Sequence, residues 1–196
     1  SNELPNRWPD QPPQFRSIAL EFFAACAQTA DAVLTAMAIA LQLPPNFFTV
    51  RHCDRAHTLR LLHYPPHSDT GAAAHTDYGS ITLLFQDDMA GLEVQTVAGE
   101  WLAVPPVSNS VLVNLGDLIQ RWTNDEYRST LHRVRLVAGA DRYSIAYFCN
   151  PNSEVEIACL PLSDPKGLPK RTRPARYAPI SASAYLLSRL QETYSN

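Results

Sequence analysis

Along the first part of the chain, apolar residues recur every three or four positions: Phe15, Ile18, Phe22, Cys26, Ala30, Val33, Met37 and Leu41. That period puts them on one face of a helix. The pattern therefore predicts an amphipathic helix over 14–43 whose aromatic stripe packs on a sheet. Pro12 and Pro13 suit a helix start, and Pro44-Pro45 is expected to end it. Periodicity lapses over 46–54, which reads as a loop. His52, Cys53 and His57 lie close together there but lack the regular spacing of a metal site, so they read as loop residues.

From Thr58 the pattern changes to short alternating runs, first at 58–64 and then at 80–85, 92–97, 101–104, 110–115, 132–136 and 143–149. Pro, Gly and Asn-Asp turn signals separate them, a spacing that argues for a jelly-roll core. Helical periodicity returns over 179–194 through Tyr185, Leu186, Leu190 and Tyr194. The expectation is one domain, mainly β with flanking helices. It has an N-terminal helical flank over 1–54, a double-stranded β-helix (jelly-roll) core over 55–160, and a C-terminal linker and helix over 161–196. A chain of 196 residues is long enough for one substantial core.

Composition narrows the function classes. A net charge of −3 gives no general attraction to nucleic acid or to an anionic membrane. The basic run Lys166, Lys170, Arg171, Arg173 and Arg176 is interleaved with prolines and reads as a solvated linker. Cys26, Cys53, Cys149 and Cys159 are scattered without metal-type spacing, which suits reduced thiols. The opening residues do not resemble a signal peptide, and the apolar stretch 32–43 is too short to span a bilayer. A cytoplasmic location is the simplest expectation.

The candidate chemistry begins at His75-Thr76-Asp77. Side chains at i and i+2 of a strand share a face, so His75 and Asp77 are expected to grip one metal from a single segment. His132 lies far along the chain and must be brought back by the fold. Two histidines and a carboxylate leave open positions on a non-haem Fe(II). Arg142-Tyr143-Ser144 follows the same i, i+2 logic: a guanidinium fork and a hydroxyl on one face can hold a carboxylate.

With Leu83-Leu84-Phe85-Gln86-Asp87-Asp88, Gly91-Leu92-Glu93-Val94, Asn114-Leu115-Gly116-Asp117 and Ser129-Thr130-Leu131-His132-Arg133-Val134 in this order, the chain resembles the isopenicillin N synthase-like Fe(II)/2-oxoglutarate dioxygenases. The resemblance runs from about Leu59 to Tyr194. It implies Fe(II) held by His75, Asp77 and His132, and 2-oxoglutarate held at its far carboxylate by Tyr64, Arg142 and Ser144. It also implies O₂ as cosubstrate and Phe148 against the organic substrate. Leu62 departs from members that carry an asparagine there, so cosubstrate contacts are expected to be fewer.

The implied reaction hydroxylates or desaturates a small molecule and releases succinate and CO₂. Two other readings stay open: a related Fe(II) oxidase that does not use 2-oxoglutarate, and a truncated noncatalytic metal-binding module. Relatives usually carry roughly a hundred further residues ahead of the segment resembling this start, a length comparable with a small domain. The uncovered core sheet is accordingly expected to be covered by self-association, by rearranged use of Ser1 to Pro13, or by a further polypeptide.

Overall fold

The computed structural model describes residues 5–66, 71–136, 140–161 and 174–194. Its long helix α1 (Phe15–Ala40) precedes β1 (Thr58–Tyr64), β2 (Ala72–His75), β3 (Ile81–Gln86), β4 (Leu92–Gln95), β5 (Trp101–Ala103) and β6 (Leu112–Leu115). A short helix α2 (Asp117–Trp122) leads into β7 (His132–Val134), β8 (Arg142–Cys149), β9 (Glu156–Ile157), β10 (Ile180–Ser181) and helix α3 (Ala182–Tyr194). Lys166, Lys170, Arg171 and Arg173 of the basic run lie outside the described residues. Arg176 is exposed and pairs with Asp125 at 2.5 Å.

Two antiparallel four-stranded sheets, ordered β1-β8-β3-β6 and β2-β7-β4-β5, form the jelly roll. Alternation along each strand divides its residues between two environments. On β3, Ile81, Leu83 and Phe85 face α1, while Thr82 and Leu84 face an inner cavity. The sheet's outer face joins α1 through Phe22 on Phe85, with ring centroids 5.0 Å apart, and Phe23 on Tyr147, 5.1 Å apart. Leu34, Phe48, Ile81, Leu83, Trp122 and Tyr147 are the heart of the core. Each such buried side chain contributes roughly 2–3 kcal/mol of apolar burial.

α1 differs from its sequence pattern in two ways. Its buried face is Cys26, Ala27, Ala30, Leu34 and Ala38, mostly small residues that let the helix lie close to the sheet, while Ile18 is 62% exposed. The helix also stops before the prolines. Gln42 adopts a left-handed φ of 58°, its N–H donates to Ile39 O at 3.0 Å, and Leu43 N–H donates to Ala38 O at 2.9 Å. This is a Schellman cap with glutamine in the usual glycine position. By length and composition the uninterrupted helix could cross a membrane, a possibility the shorter window 32–43 conceals.

Several predicted strands are shorter than their patterns; the run at 92–97, for example, pairs only over Leu92–Gln95. The loop over 46–54 contains a single turn of 3₁₀ helix, and His52 is fully buried.

Candidate active site

The three metal-type side chains come from different positions in the fold. β2 pairs with β7 so that His75 lies directly opposite His132. Asp77 lies beyond the end of β2, so it does not share a strand face with His75; the expected i, i+2 geometry is replaced by a loop. That loop is pinned from α2: Asp117 N–H donates to Asp77 O at 2.8 Å, and Gly116 N–H donates to Ser80 O at 2.8 Å. Position 116 must be glycine, because a Cβ there would stand 2.2 Å from Gly79 O.

Hydrogen bonds prepare each donor. His75 Nδ1 donates to Ala73 O at 2.7 Å and His132 Nδ1 to Thr130 O at 3.0 Å, which fixes both tautomers and leaves both Nε2 lone pairs without a hydrogen bond among the described residues. The buried Asp77 carboxylate accepts at Oδ2 from Thr82 Oγ1 at 2.7 Å and Asn114 Nδ2 at 2.6 Å. Its Oδ1 lies 3.7 Å from His132 Nε2. One ligand atom from each of the three residues lies within 4.8 Å of the others. Two imidazole nitrogens and one carboxylate oxygen on one side of a point suit non-haem Fe(II).

A cavity of about 190 Å³ runs from these donors to Tyr64, Arg142 and Ser144. Arg142 and Ser144 face inward from β8, at 2% and 5% exposure. Arg142 donates from Nη2 to Gln86 Oε1 at 2.9 Å, and Nη1 makes only a long 3.5 Å approach to Ser144 Oγ. Nε is buried without a partner among the described residues. Tyr64 lies opposite Arg142 in register and offers its ring face, 5.2 Å from the guanidinium. A buried cation with an orphaned N–H and only neutral acceptors is a fitting seat for a carboxylate. Leu62, in the wall, brings apolar surface but no hydrogen bond.

At the other side, Phe148 lines both this cavity and an outer chamber of about 740 Å³ bounded partly by Leu186 and Leu190 of α3. Arg60 borders both spaces, its guanidinium 5.4 Å from the Phe148 ring centre.

Residues 55–151 match the 2OG-Fe(II) oxygenase superfamily. The chain belongs to that superfamily. It is similar to the 2-oxoglutarate-Fe(II) type oxidoreductase hxnY of Emericella nidulans, 36% identical over 98% of this chain and 57% of that one. Proline hydroxylase buaE of Petromyces alliaceus is 39% identical over 97% of this chain and 64% of that one. Among solved structures, a full-length Neurospora crassa protein in complex with alpha-KG and thymine superposes with a TM-score of 0.86 at 37% identity, covering 99% of this chain and 62% of that one. The chain thus spans 57–64% of the length of these relatives. Fe(II), 2-oxoglutarate and O₂ are the cofactor and cosubstrates of the superfamily.

Around these donors and Arg142, sequence reasoning missed Thr82, Asn114, Gln86 and Arg60. A signal existed for Asn114, the one polar residue of β6, and for Thr82, which interrupts the apolar run from Ile81 to Phe85. His52 and His57 stand apart from the site. His52 donates from Nδ1 to Phe48 O at 2.7 Å and accepts from Ser80 Oγ at Nε2, 2.9 Å away. His57 engages the Tyr147 hydroxyl and, at 3.5 Å, Cys149 Sγ. Burial lowers both to about 4, and it pushes the Cys149 thiol up to about 12.

Proposed function

We propose that this chain is the catalytic region of an Fe(II)- and 2-oxoglutarate-dependent dioxygenase that hydroxylates or desaturates a small organic molecule, with release of succinate and CO₂. The observation that carries this reading is a single cavity with three prepared donors, His75, Asp77 and His132, at one end and the buried Arg142, its Nε unpartnered among the described residues, at the other. The donors would hold Fe(II), while Arg142, Ser144 and Tyr64 would hold the far carboxylate of 2-oxoglutarate. Bound iron and cosubstrate supply the oxidising power. The chain supplies position. Thr82 and Asn114 hold the Asp77 carboxylate in one orientation, and the Ala73 and Thr130 carbonyls hold the imidazoles. Leu62, Leu84, Leu92 and Val94 exclude water between the two ends. Substrate would enter the outer chamber and rest on Phe148, with Arg60 offering donors to a polar group.

Anaerobic titration of the Fe(II)-loaded protein with 2-oxoglutarate tests this reading; a visible charge-transfer band is expected when the 2-oxo acid chelates iron. Arg142→Ala should weaken that binding by roughly a hundredfold with iron retained, because a charge-assisted bidentate contact is lost. Arg142→Lys should restore only part of it, and Ser144→Ala should cost less. Iron binding without a band would favour an oxidase, and neither signal would favour a noncatalytic module.

All four cysteines are free thiols, which supports a reducing, cytoplasmic setting. Exposed Leu61, Val113 and Tyr143 on the outer sheet face support self-association there. A monomer by light scattering at all accessible concentrations would remove that last element.

A further inference from the structure

The inner face of β3 alternates through Thr82, Leu84 and Gln86. The first two line the cavity wall and Gln86 does not. It stands opposite Ser144 in register and accepts from Arg142 Nη2 at 2.9 Å. The adjacent carboxylate, Asp87, is turned elsewhere: it accepts from Tyr143 N–H at 2.5 Å and Met89 N–H at 3.0 Å. Arg142 therefore meets no anion among the described residues, although it is almost wholly buried and carboxylates lie nearby in sequence.

We propose that Gln86 is a positioning residue that sets selectivity for a dicarboxylate cosubstrate, by aiming the Arg142 guanidinium without neutralising it; this rests on the 2-oxoglutarate reading above. A guanidinium on a flexible stem gains directional power only when one nitrogen is anchored. A neutral carbonyl oxygen takes one of the two Nη2 N–H groups and leaves the other, with the Nε or Nη1 N–H beside it, to an incoming carboxylate. A carboxylate at position 86 would form its own charge-assisted pair and compete with the ligand for the same cation. Gln86 acts through Arg142 and lies behind it, so its substitution should alter recognition of the far carboxylate and spare the iron end.

The test compares 2-oxoglutarate with 2-oxopentanoate, which has the same 2-oxo acid head and chain length but no far carboxylate. Dissociation constants for both are measured on the Fe(II)-loaded protein under argon, by calorimetry. For Gln86→Glu, 2-oxoglutarate binding should weaken at least about tenfold, with 2-oxopentanoate held within about threefold of the parent. Gln86→Met, which loses the anchor but adds no charge, should lose a smaller part of the selectivity. It decides the matter alone if the glutamate variant does not fold. Unchanged selectivity in the variants, or equal weakening of both ligands, would overturn the role of Gln86. A parent protein with no preference for 2-oxoglutarate would overturn the cosubstrate reading itself, and the proposal with it, before any variant is compared.

Discussion

His75 and His132 each tie Nδ1 to a carbonyl two residues upstream and leave Nε2 without a hydrogen bond among the described residues, whereas His52 and His57 engage both ring nitrogens. The first pair faces a cavity beside a buried carboxylate. The second lies between α1 and the outer side of the sheet, where burial keeps both rings neutral to about pH 4. His52, Cys53 and His57 are close in sequence and look more like a cluster than His75 and His132 do. An available lone pair, rather than closeness along the chain, separates a candidate ligand from a structural histidine.

Deleting one ring from each pair should give opposite outcomes. His132→Ala should lower Fe(II) affinity by at least about a hundredfold, because a ligand matters more than the outer contacts that orient it. Among the described residues its ring is tied to the fold by the 3.0 Å hydrogen bond to Thr130 O, so stability should change by only about 1 kcal/mol. Anaerobic calorimetry with Fe(II), paired with thermal unfolding, reads both quantities. Retained affinity would remove His132 from the iron site.

His52→Ala should show the opposite split. It empties a fully buried volume, takes from the Ser80 hydroxyl its His52 partner and removes one of the two N–H groups from which the Phe48 carbonyl accepts, a loss of about 3 kcal/mol. Fe(II) affinity in the folded fraction should stay within about threefold. Urea unfolding checks the first outcome, and a midpoint equal to the parent's would mean that His52 carries no structural weight.

The same contrast explains what is legible in the sequence. The jelly roll is readable because strand alternation is local, and the convergence of His75 with His132 because two long-separated motifs have to meet for the chemistry to work. The support around them is less legible. Asn114 reaches Asp77 across the fold, and Gln86 reaches Arg142 between neighbouring strands. Neither contact leaves a periodic trace. The six-residue α2 is too short for helical periodicity to register, and the end of α1 depends on a left-handed Gln42 rather than on the prolines that follow. His52 reads as a loop residue because burial is a tertiary property; its polar neighbours in sequence hide the core beneath it.

Acid should expose the buried pair, His52 and His57, through stability alone. His52 has an ordinary value of 6.5 and a folded value of about 4, lowered chiefly by burial; His57 shifts likewise, chiefly through burial and then the His52 ring. Between those values the unfolded chain binds more protons than the folded one, so stability is full above about pH 6.5 and falls as the pH drops toward 4. For His52 alone the loss at pH 5 has a ceiling of about 2 kcal/mol. The Arg55–Asp31 bridge at 2.6 Å lies beside both rings, Asp31 favouring the protonated form and Arg55 opposing it, so its removal should alter the depth of the fall. Urea midpoints of metal-free protein at pH 7.5, 6 and 5 measure the slope. In His52→Ala the slope should be shallower; a slope indifferent to His52 would mean that the buried pair does not govern acid stability.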